Sequence, residues 1–376
     1  MTGFTSPVAD LPEPAPLDTR PTAVIYCEGH LGRIDGKTAN GLVRSSERYR
    51  IVAVIDSTCE AADAGVALGM VALGIPVVPS LAAALAEQPD VFIFGLAPLS
   101  GLMSLQDRSA VLEAIEQGID VVSGLHEFLS DDVEIALAAQ LVGVELHDVR
   151  RPRPTKDLRM FDGAIDTVDC VRIAVLGTDG AIGKRTTCTI LTQALNDAGI
   201  RTVMVGTGQT GLMQGAAYGV ALDAIPAQFG VGELEGAVVA AWEEQRPQVI
   251  VVEGQGALSH PAYLSSTVVL RASRPHGVIM QHAPGRRMLS DYPEVPMPAA
   301  ASEIALIEMF GRTRVVGVTI NHEGMTDAQV TAAIALYEAQ LGVGVTDALW
   351  RDPRALVAMV TDAFPRLLRG AVAVTA

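Results

Sequence analysis

The chain has 376 residues, of which 49% are hydrophobic and 19% charged, a composition that excludes a disordered protein and is sufficient for two domains. Its formal net charge of −16 argues against nucleic acid and anionic membranes as partners, so any phosphate site must be a local basic pocket. No apolar run reaches membrane-spanning length, and the four cysteines lack CxxC spacing. We therefore expect a reduced, cytoplasmic protein without a disulfide framework or a zinc site.

Residues 1–21 differ in pattern from the rest of the chain. The stretch from Pro7 to Pro21 is rich in proline and acidic, without the basic start or apolar centre of a signal peptide, and predicts a flexible tail. Between residues 22 and 150, short apolar runs alternate with alanine-rich helical segments, which predicts a Rossmann-like α/β domain with a parallel sheet. Its predicted strands lie at 22–27, 51–55, 91–94 and 119–122.

Dinucleotide binding is not the favoured interpretation of this domain. Asp56 closes the second predicted strand, where a Rossmann domain carries the acid that binds a ribose. The glycines of the first turn, Gly29, Gly32 and Gly36, do not have the G-x-G-x-x-G spacing, however. A sheet that ends in a polar turn is favoured instead.

Residues 151–170 are predicted to link this domain to a second one. The basic segment Arg150-Arg151-Pro152-Arg153-Pro154-Thr155 stands at the start, and its two prolines preclude a regular helix. Its arginines are either a solvated connector, the favoured interpretation, or cations that lean over a phosphate site. Residues 171–376 are predicted to form a P-loop α/β domain. Its predicted strands lie at 172–176, 202–205, 249–252, 267–270, 277–280 and 315–320, and helical spacing covers 326–341 and 355–369.

The segment from Val171 to Thr187 has the pattern of a buried strand, a glycine-rich turn and a helix start, which is typical of a phosphate-binding loop. Arg185 stands where nucleotide hydrolases carry the Ser or Thr that holds magnesium, and Thr186 comes one residue late. The residues expected to bind cofactor phosphates are Gly180, Ile182, Gly183, Lys184, Arg185, Thr186 and Thr187.

Four further predicted strands of the second domain end in polar, glycine-rich loops. These loops are residues 206–211, 253–261, 281–287 and 321–324. Ligands of open parallel sheets bind beyond the carboxyl ends of the strands. The loops and the phosphate-binding loop together therefore predict an active site.

The motifs of this domain carry a resemblance to known enzymes. Gly177-Thr178-Asp179, Gly183-Lys184, Gln209-Thr210-Gly211 and Glu253-Gly254-x-Gly256 resemble the motif series of dethiobiotin synthetase and related P-loop ligases. Over nearly the whole chain after residue 20, the sequence is more similar to a bacterial family first described as a domain of unknown function. That family joins a Rossmann-like domain to a dethiobiotin-synthetase-like P-loop domain. The segments that carry this resemblance are 36–44, 124–129, 183–187, 253–256 and 281–286.

Members of this family are associated with D-glutamate N-acetyltransferase activity. The resemblance therefore implies an N-acetyltransferase with acetyl-CoA as co-substrate and D-glutamate or a similar amino acid as acceptor. Two alternatives stay open, an ATP- and magnesium-dependent ligase or kinase and a non-catalytic nucleotide-binding regulator. Arg185 weighs against magnesium, and Gly206-Thr207 replace a Lys-Pro pair whose lysine holds the transferred phosphoryl group in the ligases. We expect no metal to be required, because Lys184 and Arg185 can hold coenzyme A phosphates directly.

Acetyl transfer to an amine requires a general base and donors for the tetrahedral oxyanion. Glu253, His260 and His282 are candidates for the base, and Asp179 either orients the substrate or braces the loop. The residues expected to contact the substrate are Gln209, Thr210, Gln255, Arg286 and Arg287. The expected partner is a small amino acid, and two-domain enzymes of this kind are commonly symmetric homo-oligomers.

Overall fold

In the computed structural model the described residues are 18–98 and 100–371, so most of the predicted tail lies outside them. These residues form two sheets in which every pair of neighbouring strands is parallel. The predicted α/β class with two parallel sheets is confirmed. None of the helices in this part of the chain combines the length and the apolar character needed to cross a bilayer.

The first sheet has the strand order of a Rossmann fold. Its strands are β1 (Thr22–Tyr26), β2 (Arg50–Ile55), β3 (Val77–Val78), β4 (Val91–Phe94), β5 (Asp120–Ser123) and β6 (Leu146–Asp148). They lie in the order β3-β2-β1-β4-β5-β6. The helices of this half are α1 (Lys37–Arg44), α2 (Ala64–Ala67), α3 (Leu81–Ala84), α4 (Leu105–Glu116) and α5 (Val133–Val142). Asp56, directly after β2, accepts hydrogen bonds from the backbone N–H groups of Gly29 (3.0 Å) and Leu31 (3.1 Å) and so braces the turn after β1.

The second sheet is built around a fully buried strand. Its strands are β7 (Val171–Gly177), β8 (Thr202–Gly206), β9 (Tyr218–Gly219), β10 (Val249–Glu253), β11 (Gly277–His282), β12 (Val315–Ile320) and β13 (Val345–Thr346). Their order is β13-β12-β11-β7-β10-β8-β9. The central strand β7 is buried along its whole length, which its apolar sequence favours because helices cover both faces of such sheets. The helices of this half are α6 (Lys184–Asp197), α7 (Gln209–Gln214), α8 (Ala227–Gln245), α9 (Ser265–Ser273), α10 (Ala300–Gly311), α11 (Asp327–Leu341), α12 (Arg354–Ala363) and α13 (Arg366–Ala371).

The predicted strand at 267–270 is wrong, because these residues lie inside α9. The β-branched run Thr267-Val268-Val269 suggested a strand. However, α9 lies on the connection from β10 to β11, both of which pair in parallel with β7, and such a connection requires a crossover. The buried side chains Ser266, Val269, Leu270 and Ser273 follow the spacing of one helix face.

The predicted linker packs against the second domain. Ile165 is fully buried, and its backbone N–H donates to the carboxylate of Glu235 in α8 at 3.1 Å. A β-carbon at Gly232 of α8 would clash with the backbone of Met160, so glycine is required for this close approach. The domain boundaries at 150 and 171 stay predictions, and the strands of the two sheets lie on either side of them.

Arg150 joins the two halves of the chain. It is buried and donates to the carboxylate of Asp223 through Nε at 3.2 Å and Nη2 at 2.8 Å. Nη2 also lies 2.9 Å from Oε1 of Gln209, one of the predicted substrate residues. Arg151 is partly exposed and pairs with Asp131 at 2.7 Å. The favoured interpretation of a solvated connector is therefore wrong for Arg150, which is a buried contact between the domains.

Candidate active site

The phosphate-binding loop runs from β7 to α6. Gly183 has a φ of 102°, in the left-handed region that favours glycine, and precedes the first helical residue. Lys184 is buried in the first turn of α6, and its Nζ donates to the backbone carbonyl of Asp179. Burial lowers the pKa of Lys184 to about 8, because a charged ammonium is poorly solvated there. The loop thus holds a buried cation whose charge an anionic ligand would stabilise.

Asp179 and Arg286 brace this loop. The Asp179 carboxylate accepts hydrogen bonds from the backbone N–H of Gly180 at 2.6 Å, the backbone N–H of Ser290 at 2.9 Å and Nη1 of Arg286 at 3.0 Å. Arg286 also donates to the carbonyl of Gly180 at 3.0 Å. Of the two roles predicted for Asp179, the geometry fits bracing, and Arg286 shares that role. Arg287 is exposed.

Arg185 extends from α6 toward the first domain. A β-carbon on Gly41 of α1 would lie 2.6 Å from its Nη2. Its Nε is buried without a hydrogen-bond partner among the described residues. Burial raises the pKa of Glu253, at the end of β10, and the positive charge of Arg185 is the strongest effect that opposes this. Arg185 therefore places a fixed cation between the loop, Glu253 and α1.

Glu253 holds the loop that follows β8. Its Oε2 accepts from the backbone N–H of Thr207 at 3.0 Å, and its carbonyl accepts from the Thr207 hydroxyl at 3.0 Å. Gln255 donates from Nε2 to the Thr207 carbonyl at 2.6 Å. In α7, the Thr210 hydroxyl lies 2.9 Å from the hydroxyl of Thr38 in α1. The predicted substrate residue Thr210, like Gln209, thus contacts the first domain.

Side chains behind the loop fix its far side. The Thr187 hydroxyl donates to Oε1 of Gln281 at 2.6 Å. Ile182 is fully buried, and its carbonyl accepts from Nδ2 of Asn321 at 3.0 Å. Thr186 is partly exposed on the first turn of α6. Of the seven residues predicted to bind phosphate, Ile182 and Thr187 are therefore held by hydrogen bonds to side chains in or directly after neighbouring strands and support the conformation of the loop.

His282 has both ring nitrogens bound to protein hydroxyls. Nδ1 lies 3.0 Å from the hydroxyl of Thr178 and Nε2 lies 2.9 Å from that of Tyr337. Burial lowers the pKa of His282 to about 4, so the ring is neutral at physiological pH. This geometry fits a packing residue better than the predicted general base.

His260 is held with one nitrogen free. Nδ1 accepts from the backbone N–H groups of Ala262 and Tyr263, both at 3.2 Å. The proton of the neutral ring is therefore on Nε2, which is buried without a hydrogen-bond partner among the described residues. Burial lowers the pKa of His260, which favours this neutral form. His260 is thus arranged as a hydrogen-bond donor.

Two residues near His260 were missed in the sequence. The ring of Tyr263 stacks on that of His260 with centroids 4.2 Å apart, and its hydroxyl donates to Oδ2 of Asp291 at 2.6 Å. That Oδ2 lies 3.8 Å from a β-carbon built on Gly180, so Asp291 stands over the phosphate-binding loop. Asp291 follows β11 only after a long loop, which turns back to the site through Ser290. The polar group Ser290-Asp291-Tyr292 between apolar and proline residues was the one available signal.

Lys37 was also missed, although its segment had carried the family resemblance. It is the first residue of α1, and its side chain is exposed. Surrounding protein lowers the pKa of Lys37, and Asp291 is the charge that opposes this most strongly. The next residue, Thr38, contacts Thr210 of the second domain, so Lys37 lies beside the contact between the domains.

The fold and site define a two-domain α/β protein in which a Rossmann-like domain contacts the phosphate-binding loop of a P-loop domain. The chain belongs to the DUF1611 family. The description "Domain of unknown function (DUF1611_C) P-loop domain" matches residues 159–357, and "Domain of unknown function (DUF1611_N) Rossmann-like domain" matches residues 57–152. The crystal structure of a DUF1611 family protein from Anabaena variabilis ATCC 29413 superimposes with a TM-score of 0.84. It is 30% identical and covers 93% of this chain and 100% of its own.

Two curated relatives are named D-glutamate N-acetyltransferase. The one from Tritonibacter scottomollicae is 27% identical over 274 residues, which are 71% of this chain and 80% of the relative. The one from Pseudoalteromonas sp is 28% identical over 264 residues, 69% of this chain and 77% of the relative. The predicted family, with its Rossmann-like and P-loop domains, is confirmed, and the names of these relatives support an acetyltransferase at the family level.

Proposed function

We propose that the protein transfers the acetyl group of acetyl-CoA to the amine of D-glutamate or a similar amino acid. The names of the curated relatives support the reaction class. The structural observation that carries the proposal is the placement of Arg185, a cation fixed beside the phosphate-binding loop and Glu253. This arrangement suits a phosphorylated ligand that is bound but not cleaved at its phosphates.

The loop would bind the diphosphate of coenzyme A. Backbone N–H groups at the start of α6 and the ammonium of Lys184 supply donors, and Arg185 adds a guanidinium that contacts phosphate oxygens in pairs. In magnesium-dependent enzymes the residue after the lysine holds the metal through a hydroxyl. In this protein the residue after the lysine is Arg185, whose guanidinium lies near Glu253. The positive charge that a metal would supply there is therefore supplied by the protein.

The acceptor chemistry assigns different roles to Glu253 and His260. The substrate ammonium loses a proton to Glu253, whose pKa is raised by burial, so that the carboxylate is a stronger base than an exposed one. The amine then attacks the thioester carbonyl, and the Nε2–H of His260 stabilises the oxyanion that forms. As the intermediate collapses, the C–S bond breaks and the C–N bond remains. The thiolate takes up the proton that the acylated nitrogen loses, so coenzyme A leaves as the free thiol, and Glu253 releases its proton to solvent.

The test is to incubate the protein with D-glutamate and acetyl-CoA without ATP or magnesium and to follow thiol release. We expect thiol release that depends on D-glutamate, formation of N-acetylglutamate by mass spectrometry, and no effect of a chelator. An absence of thiol release, together with ADP formation from ATP and magnesium, would favour a ligase or kinase. Tight nucleotide binding without either product would favour a regulator.

A further inference from the structure

We infer that the stacked rings of His322 and Trp350 bind the adenine ring of coenzyme A, beside the loop that binds its phosphates. The inference rests on the proposed function, because that function supplies the ligand. Coenzyme A carries adenine on one side of its diphosphate and the thioester arm on the other. Neither ring takes part in the acetyl transfer itself.

The loop that carries His322 is held against the phosphate-binding loop. It follows β12, and its first residue, Asn321, donates from Nδ2 to the carbonyl of Ile182 at 3.0 Å. Oε2 of Glu323 accepts from Nη2 of Arg286 at 2.7 Å, and Arg286 braces the phosphate-binding loop. His322 lies between these two anchored residues, so its position relative to the phosphate-binding loop is fixed.

A single buried carboxylate orients both rings. Asp347 directly follows β13, the strand that pairs with β12. Its Oδ2 lies 2.7 Å from Nδ1 of His322, and its Oδ1 accepts from the backbone N–H groups of Leu349 and Trp350, both at 2.9 Å. The rings of His322 and Trp350 stack with centroids 3.8 Å apart and an angle of 11° between their planes. The pair is thus a rigid aromatic surface at the carboxyl ends of two neighbouring strands.

Trp350 keeps an open surface for a ligand. It is 44% exposed, although His322 covers one face of its indole, so the exposed part lies on the other face and the edges. Planar bases stack on such aromatic faces. Because Asp347 already orients the indole, stacking of a base orders little more of the protein, which favours binding.

The position of this pair suits a base whose phosphates lie in the phosphate-binding loop. In the second sheet β12 is two strands away from β7, and at about 4.8 Å per strand the ends of the two strands are roughly 10 Å apart. The ribose and base of a nucleotide span this distance. Ligands of open parallel sheets lie along the carboxyl ends of the strands, which places the phosphates after β7 and the base after β12.

Steady-state kinetics with a full and a truncated donor test this assignment. Trp350→Ala should raise the KM for acetyl-CoA roughly five- to hundred-fold, the effect of losing one base–aromatic stack, and change kcat less than about two-fold. Trp350→Phe should keep part of the affinity. S-acetyl-phosphopantetheine has the thioester arm and lacks adenosine, so its KM should be the same in Trp350→Ala and in the wild type. Leu349→Ala removes a similarly exposed apolar side chain from the same loop and should behave like the wild type.

Fluorescence reports on the stack without the reaction. The chain has two tryptophans, so Trp242→Phe leaves Trp350 as the one fluorescent indole. Coenzyme A and ADP should both quench its emission, since both carry adenine and a diphosphate. Phosphopantetheine and inorganic pyrophosphate lack the base and should leave the emission unchanged. Coenzyme A that binds by calorimetry without quenching this indole would overturn the assignment.

The outcomes distinguish this inference from the proposed reaction. Thiol release by the wild type, with a KM for acetyl-CoA that is unchanged in Trp350→Ala or raised equally for the truncated donor, would contradict the adenine site and leave the reaction standing. Quenching by ADP, with ADP formation from ATP and no thiol release, would support the adenine site and contradict the reaction. A wild type that binds neither coenzyme A nor ADP would contradict both.

Discussion

The guanidinium of Arg185 lies so close to Gly41 that a β-carbon on residue 41 would be 2.6 Å from its Nη2 and 2.9 Å from its Cζ. Arg185 belongs to the first turn of the helix after the phosphate-binding loop, and Gly41 to the first helix of the Rossmann-like domain. The position of a cation beside the loop is therefore set by the other domain. Through this contact, the Rossmann-like domain helps to position a side chain of the site, and this role does not require the domain to bind a ligand itself.

Gly41→Ala should raise the KM for acetyl-CoA roughly ten-fold without unfolding the protein. The two nearest atoms that a β-carbon would meet belong to the end of the flexible Arg185 side chain, and Cγ2 of Thr210 follows at 3.0 Å. Arg185 can move aside, but its guanidinium then leaves the phosphates. Arg185→Ala should raise this KM at least as much. The double variant should be no worse than Arg185→Ala, because both changes act through one guanidinium.

Steady-state kinetics and thermal unfolding test this prediction, with Gly230→Ala in α8 as the control. A β-carbon at Gly230 would meet Val268 at 3.6 Å, which is an ordinary contact. The Gly230→Ala variant should therefore have a normal KM for acetyl-CoA and a free energy of unfolding equal to that of the wild type or up to about 1 kcal/mol higher. A normal KM in Arg185→Ala would remove this residue from the site. A raised KM in Arg185→Ala with a normal KM in Gly41→Ala would show that α1 does not position it.

The sequence predicted those parts of the protein that depend on local pattern. The long apolar run of β7 and the glycine-rich turn after it identify the phosphate-binding loop, because burial and backbone chemistry are encoded within a few residues. Two-residue strands such as β9 and β13 have no periodicity to detect. The β-branched run in α9 suggested a strand, and only the crossover between parallel strands made it a helix.

Much of the site depends on contacts between distant segments and could not be predicted locally. Asp291 reaches the loop because its own loop folds back through Ser290, and Arg185 meets Gly41 because α1 packs on the second domain. The tautomer of His260 is set by two backbone N–H groups that no residue type specifies. The sequence therefore predicted a histidine in the site but not whether it gives or takes a hydrogen bond.

His260→Ala should lower kcat by about 10²–10³ with little change in either KM, because the lost Nε2–H acts on the oxyanion and not on the bound substrates. His260→Gln should retain part of the rate, since an amide N–H can also donate. The exposed His147→Ala is the control and should behave like the wild type. If glutamine and alanine are equally damaging and the acid limb of the pH–rate profile is lost, His260 is a base and the donor role is wrong.

Coenzyme A binding should weaken as the pH rises through about 8. Burial lowers the pKa of Lys184 to about 8 in the free protein, so its ammonium is charged below this pH and is neutral above it. The bound phosphates favour the charged form, so the affinity is highest on the acid side and falls on the alkaline side. Calorimetric titration with coenzyme A from about pH 6.5 to about pH 9.5, on both sides of the Lys184 pKa, measures this effect.

Lys184→Met is the matched variant for this pH dependence. It should bind coenzyme A weakly and with little change across the same range, because the titrating group is gone. A wild-type affinity that stays constant through pH 8 would contradict the assignment of Lys184 as the phosphate-binding cation. A steep dependence that persists in Lys184→Met would assign the titration to another group.

Arg150→Met should destabilise the protein by roughly 1–3 kcal/mol, because it leaves the buried Gln209 amide and the Asp223 carboxylate without their partner. The Asp223 side chain is 30% exposed, so water partly replaces the arginine there. Chemical unfolding followed by circular dichroism measures this loss. Arg151→Met removes an ion pair whose arginine is 39% exposed and should cost no more than about 1 kcal/mol. Restoring stability with the double variant Arg150→Met, Asp223→Leu would show that the unpaired carboxylate causes the loss. If Arg150→Met and Arg151→Met are equally stable, the contact through Arg150 does not hold the domains together.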